Sequence, residues 1–321
     1  MSVAIARSLH RLALGASLLA LVLFAGLAHA KLPAFDAGRL NFAIQANGLM
    51  LDYRVFGLYL LPGETLAIRS AVELQLQVDD GKASTTAGGW DWEAPDRAGL
   101  YPLQLLHDGE VMRLNVFVLQ PATRATEGWL DHYRIGEYPE KPFRGLDAYL
   151  APRGFVEVTP SLGQVQVSPH FQLGQFLCKQ ASDWPKYLAL RPELLIKLER
   201  ILEQLNARGI ATESREIMSG FRTPWYNRTI GNRTSSSRHL FGGAADIFVD
   251  VAPRDGLMDD LNGDGRVSKA DADFLYDLIE GWTKTGGWQP FRGGLASYRT
   301  TPAHGPFVHV DARGYRARWG R

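Results

Sequence analysis

The chain of 321 residues contains a single cysteine, Cys178. A disulfide within the chain is therefore excluded, and stability has to come from buried apolar side chains or from bound metal. Cys178 sits among apolar neighbours in "FQLGQFLCKQ", as a small buried side chain would. Net charge is scarce too: 35 Lys and Arg against 34 Asp and Glu leave +1 at pH 7. That balance gives no electrostatic reason to expect nucleic acid or a charged membrane surface as a partner. The basic end "RGYRARWGR" is expected to be a solvated face.

Long hydrophobic runs are missing after residue 30. Before it stand Arg7 and Arg11, an apolar run from Leu12 to Leu27, and then Ala28-His29-Ala30. The run falls short of the roughly 20 residues that a membrane span needs, and a small-residue cleavage pattern follows it directly. Residues 1–30 are expected to be a secretory signal peptide, and the mature chain from Lys31 to be periplasmic or secreted, with no membrane span left. No cysteine stands directly after the cleavage pattern, so no lipid anchor is expected.

From about Leu40 to Leu119 the pattern has a period of two. "LNFAIQA", "LAIRSAVELQLQV", "LYPLQLL" and "RLNVFVL" alternate apolar and polar residues, with "DDG", "GG" and "HDGE" as turn signals between them. This predicts an antiparallel β-domain over 31–121, a sandwich. Its stretch "WDWEAPDRAGLYPL" resembles the closing strands of bacterial immunoglobulin-like modules. Residues 122–170 carry Pro139, Pro142, Pro152, Pro160 and Pro169 among glycines and aromatics, which forbids long helices yet is too apolar for disorder. They are expected to connect the two halves and pack on both.

The period then turns helical. Leu194, Leu195, Leu198, Ile201, Leu202 and Leu205 fall on one stripe, with Pro192 at the first turn and Gly209 at the stop. "AADIFVDV" and "PFVHVDARG" read as strands, so 171–321 is expected to be a small α+β domain. His107, His132 and His170 have no ligand-spaced neighbour and read as structural histidines. The eight tryptophans are scattered, as core residues would be.

Chemistry concentrates in "SSSRHLFGGAAD". If His239 and Asp246 hold one metal ion, bonds of about 2 Å put their donor atoms no more than roughly 4 Å apart. A straight strand would separate the residues by about 23 Å and a straight helix by about 10 Å. The chain has to double back between them, and Gly242-Gly243 stand where that reversal is needed. A neighbouring strand can supply a third ligand: in "FVHVD", alternation places Phe307, His309 and Asp311 on one face. Two histidines and one carboxylate leave a fourth tetrahedral position for water, as in catalytic rather than structural zinc sites. Spacing alone leaves a chance constellation open.

Ser237-x-His239-x-x-Gly242-x-Ala244-x-Asp246 resembles the S-x-H-x-x-G-x-A-x-D signature of the M15 peptidases, the zinc D-Ala-D-Ala carboxypeptidase and dipeptidase family. "SGFRTPWYNRTIG" is similar to that family's S-G-[YF]-R-T-P-x-Y-N segment, and "PFVHVDARG" to the F-V-H-V-D end of its peptidase M15-like branch. The likeness covers about 168–319 and says nothing of the β-domain. It implies zinc on His239, Asp246 and His309, with Arg222 facing the substrate and stabilising the developing oxyanion. Ser237 either donates a hydrogen bond near the metal or caps the turn. The family's general base is displaced, since Pro306 and Phe307 occupy the places where its Glu, Asp or His would stand. His304 or Asp311 can carry the proton instead, and Asp311 can alternatively orient a ligand. The implied activity is hydrolysis of peptidoglycan stem peptides, with a D-Ala-D-Ala type bond as target and carboxypeptidase or endopeptidase action open. The alternative is a binding module that keeps the zinc fold without turnover.

A second metal signal lies between the ligands. "DLNGDGRVSKAD", 260–271, reads as a twelve-residue calcium loop: Asp260, Asn262 and Asp264 at positions 1, 3 and 5, Gly265 at the sharp turn, Arg266 giving its carbonyl, then Ser268 and Asp271. No amphipathic helix enters it and position 12 is Asp, so it resembles the dockerin type more than a paired EF-hand. A structural calcium is expected, with an ordinary Asp/Asn/Gly turn as the other reading.

Overall fold

The computed structural model describes residues 35–210, 212, 216–251, 253–284 and 292–321. The signal peptide expected over 1–30 lies outside the described residues. The fold is α+β, with many short strands, three α-helices among the described residues and no barrel.

The first half builds two sheets. One has five strands in the order Leu49–Tyr53, Arg39–Ala46, Thr65–Ser70, Gly89–Glu93 and Lys82–Thr86; the other has four, in the order Val55–Leu60, Glu110–Val118, Gly99–His107 and Gln75–Val78. Alternation decides what they bury: Leu66 and Ile68 from the first sheet and Leu103, Leu105, Met112, Leu114 and Val116 from the second enter one core. The hairpin at "HDGE" closes through Asp108 and Gly109, both at positive φ, which suits the twist of the paired strands. The strand Val55–Leu60 runs parallel to Glu110–Val118, a pairing that the alternation does not announce.

Residues 122–170 fold into short bridges and 3-10 turns around a third sheet, Gln120–Pro121, Gly154–Val158 and Lys186–Leu188. The buried core is continuous from Phe42 through this segment to Val310.

Helix α1, Pro192–Ala207, starts with proline in its first turn and stops before Gly209 at φ 81°. Its leucine stripe is buried, and so are Lys197 and Glu199. The helix is enclosed because it touches the first half and the C-terminal sheet at once. Glu199 accepts hydrogen bonds from His170 N at 2.9 Å and His170 Nδ1 at 2.7 Å. One turn on, Glu203 accepts from Arg39 Nη2 at 2.8 Å and Tyr53 OH at 3.2 Å. On the other side Lys197 Nζ donates to the carbonyl of Asp311 at 2.7 Å.

The C-terminal sheet has five strands in the order Glu216–Ser219, Ala244–Phe248, Phe307–Asp311, Gly294–Tyr298 and Ala317–Trp319. Helix α2, Pro224–Thr229, leaves its first strand, and α3, Lys269–Thr283, packs against Gly294–Tyr298. The basic chain end is solvated only in part, at Arg316 and Arg321. Ala317–Trp319 pairs in parallel with Gly294–Tyr298, and Arg318, although charged, is held by Glu280 and by backbone carbonyls. The tryptophans divide: Trp92 and Trp282 are buried, whereas Trp129 and Trp184 are more than 40% exposed. No helix among the described residues is long and apolar enough to cross a membrane.

Candidate metal centre

The reversal that the glycine pair suggests is present. A 3-10 helix, Arg238–Phe241, carries His239 and ends at Gly242, which takes φ 66°. A Cβ there would stand 2.4 Å from the carbonyl oxygen of Ala189, so glycine is required twice over, by conformation and by space. Gly243 N then donates back to Arg238 O at 3.2 Å, and the chain enters the strand Ala244–Phe248. Asp246 lies directly opposite His309 on the strand Phe307–Asp311.

Three atoms converge. His239 Nε2 is 3.2 Å from Asp246 Oδ1 and 3.2 Å from His309 Nδ1, and the last two are 2.9 Å apart. Among the described residues this is the only group of three or more His, Cys, Asp or Glu side chains whose ligand atoms all lie within 4.8 Å. All three residues are buried.

Their outer partners settle what the inner atoms are. His239 Nδ1 is 2.6 Å from Gly220 O, and a carbonyl only accepts, so the proton is on Nδ1 and Nε2 carries a lone pair. His309 Nε2 is 3.1 Å from Asp311 Oδ2, which likewise draws a proton outward and turns the Nδ1 lone pair inward. Asp246 Oδ1 brings more lone pairs. With both imidazoles neutral, three acceptors face one another, an arrangement that repels unless a metal ion, or a proton on His309 Nδ1, sits between them. The separations are a few tenths of an ångström below the roughly 3.3 Å expected between tetrahedral ligands with bonds near 2.05 Å. The donor set therefore fits a divalent metal, with a slight opening of the triangle.

The electrostatics agree. Burial pushes Asp246 upward, but His239, His309 and Arg222 outweigh it and hold the carboxyl well below its usual range. Burial, opposed by Asp246, lowers His239. In His309 burial is overcome by hydrogen bonds to Asp246 and Asp311, and the imidazole is raised. The centre attracts positive charge, and a proton on His309 competes with metal for it.

A cleft of about 760 Å³ opens on the three residues. Arg222 lines it, with Nη2 on Asp246 Oδ2 and Nε donating to Ser219 Oγ at 2.8 Å. Ser237 stands on the wall as the residue before the 3-10 helix, its hydroxyl making no cap. His304 is also on the wall; Nδ1 donates to Gly305 O at 2.8 Å, which leaves Nε2 as an acceptor. Among the described residues lining this cleft, Asp246 is the one acid, beside Lys179, Arg222, Arg238 and Arg313.

Asp311 lies elsewhere than a proton carrier needs to be. It is fully buried behind His309, and its oxygens accept from Arg313 Nη2 at 2.6 Å and Gly294 N at 2.7 Å. Burial is outweighed by His309 and Arg313, so its carboxyl stays well below the usual range. With no place in the cleft lining, the alternative of Asp311 as base lacks a path to solvent, and the orienting role remains.

Several contributors were not visible in the sequence. Gly220 acts through a backbone carbonyl, which no side-chain pattern marks. Trp319 lines the cleft from within the basic chain end, its ring 5.2 Å from that of His309, and its Nε1 donates to Tyr298 OH at 2.7 Å. Tyr298 in turn stacks on Phe307 at 4.6 Å. Arg313 was legible only as part of "DARG".

In the 260–271 loop, Asp260 accepts from Gly263 N and Gly265 N at 2.8 and 2.7 Å, and Asp264 Oδ1 from Arg266 N at 2.9 Å. Asn262 Oδ1 accepts from Asp264 N at 2.9 Å. Asp271 caps α3 together with Ser268, accepting from Ser268 N at 2.7 Å. The acidic oxygens are turned toward loop N–H groups and are not gathered as the histidine site is.

No protein-family model matches the chain, and a search of characterised proteins finds no relative.

Proposed function

We propose that this chain is an exported zinc metallopeptidase of M15 type that hydrolyses peptidoglycan stem peptides, at a D-Ala-D-Ala type bond. The observation that carries the reading is the convergence of three lone-pair donors, fixed from outside by Gly220 O and Asp311, at the floor of an open cleft. His239, Asp246 and His309 would hold a zinc ion, which when bound would supply Lewis-acid polarisation and a lowered pKa for water. Arg222 offers the rest of its guanidinium fork to the carbonyl oxygen as negative charge develops there. His304 Nε2 takes the proton from the attacking water and delivers it to the departing amine as the C–N bond breaks. Asp311 holds His309 in one tautomer, and Ser237 lies where its hydroxyl reaches substrate at the wall.

The first half is, on this reading, an immunoglobulin-like sandwich, a view supported by its two sheets and by the parallel pairing of an early strand with the last. Calcium in the 260–271 loop would pin the segment between the second and third ligands; Asp260 and Asp264 keep lone pairs for an ion beside those that accept the loop N–H groups. Calorimetric titration with calcium tests this directly, and no heat at millimolar calcium would remove it.

One observation favours a second reading. Among the described residues the cleft offers no carboxylate besides Asp246, so a protein that binds wall peptides without cutting them is the competitor. Incubating metal-loaded protein with muropeptides separates the two. Release of D-alanine or splitting of a cross-link supports the peptidase, and binding without any product supports the competitor.

A further inference from the structure

The cleft continues beyond the metal centre. A second cavity of about 370 Å³ shares Lys179, Met218, Ala303 and His304 with the first as a common wall. Its remaining lining combines the side chains of Ile217, Phe248, Leu257, Met258 and Pro306 with the acid Glu216 and polar backbone.

The strand register fixes where this second lobe lies. Glu216 pairs with Phe248, and Ser219 with Asp246, so the lobe sits at the Glu216 and Phe248 end of the sheet, past the Asp246–His309 pair. Gly305 and Pro306 belong to the same end, because they lead into the strand Phe307–Asp311. The first lobe has Tyr298 and Phe307 at that same end and reaches past the metal ligands to the opposite one, where Arg222, Tyr226, Ile230 and Thr234 all follow the strand Glu216–Ser219 as it leaves the sheet. The metal ligands therefore stand between two stretches of one groove, with His304 at the junction.

That shape bears on the substrate. A C-terminal residue to be trimmed needs one deep subsite and a closed far wall, whereas a groove open on both sides of the reacting centre accepts chain in both directions. Resting on the peptidase reading above, we infer that the groove takes a peptide that continues on both flanks of the scissile bond, so that the enzyme is an endopeptidase whose second lobe binds one flank. Leu257 is the probe position, since it is 47% exposed and its replacement does not disturb the core.

The test is a cycle of substrate length against Leu257→Asp, with the full chain loaded with zinc. Peptides are cut back one residue at a time from either end, and kcat/KM is measured for each with wild type and variant. The expected result is a loss of about tenfold for the variant on the longest peptide, falling below about threefold once one particular flank has been removed. An equal loss at every length, or none at any, overturns the groove assignment. If no peptide is hydrolysed, the peptidase reading fails by itself; calorimetric binding of the same peptides then decides the lobe. Weaker binding of the long peptide alone by Leu257→Asp supports the assignment, and identical binding to both proteins refutes it.

Discussion

Asp246 and His309 face each other across adjacent antiparallel strands, and Asp246 Oδ1 lies 2.9 Å from His309 Nδ1. Neither atom carries a proton to share once Asp311 has drawn the imidazole hydrogen to the far side. Purified protein is therefore expected to carry one equivalent of zinc by elemental analysis, and His239→Ala or Asp246→Asn to lose it. Chelation lowers the melting temperature, because a ligand that binds only the folded chain stabilises it. Since His309 is raised, acid should displace the metal at a higher pH than from an ordinary histidine site. Full zinc occupancy in both variants would sink the assignment.

Asp311 and His304 make opposite predictions. Asp311→Asn weakens zinc binding by roughly 10–100-fold, as loss of an orienting partner does. His304→Gln leaves zinc content intact and lowers kcat by roughly 10²–10⁴. Competition with a fluorescent zinc chelator reads the first, and steady-state hydrolysis the second.

Arg222 touches Asp246 and faces the cleft. Arg222→Ala is expected to lower kcat by about 10²–10³, and Arg222→Lys to restore only part of it, because an ammonium cannot hold Asp246 and the carbonyl oxygen in one planar fork. Equal rates for the two variants would argue against that dual contact.

Gly242→Ala places a methyl 2.4 Å from the Ala189 carbonyl oxygen at φ 66°. The expected cost is about 2–4 kcal/mol by urea titration, with zinc lost in parallel as His239 shifts.

Lys197 gives a pH signature. Burial lowers it from 10.5 to about 8, against the attraction of Asp311. Between about pH 8 and about 10.5 the folded chain binds fewer protons than the unfolded one, so this residue's contribution to stability climbs across that window. The full difference is roughly 3 kcal/mol. Denaturant midpoints of wild type and Lys197→Met, compared at pH 7 and pH 10, should converge or cross in favour of wild type at the higher pH; parallel curves would contradict the prediction.

The sequence made the candidate metal centre legible because two local rules pointed to it. The glycine pair marked a chain reversal, and strand alternation aligned His309 with Asp311. Of that pair Gly242 alone takes the positive φ, while Gly243 is wanted for room, since a Cβ there would meet Arg238 Nη2 at 2.7 Å. What stayed hidden depends on long-range placement. Nothing in the helical period of α1 marks Lys197 and Glu199 as buried, because both become so only when neighbours close over the polar side as well. The composition of the chain end suggested solvent, yet strand pairing brings Trp319 to the cleft. Parallel pairing of Val55–Leu60 with Glu110–Val118 leaves no trace in alternation, which is the same for either direction.

Helix α1 anchors Arg39, His170 and the backbone at Asp311 from two successive turns. A shortened protein beginning near residue 171 would leave Glu199 and Glu203 without these partners beside a bared leucine surface. Anyone wishing to express the C-terminal half by itself should first replace those two acids, for the leading half supplies their partners and covers the leucines.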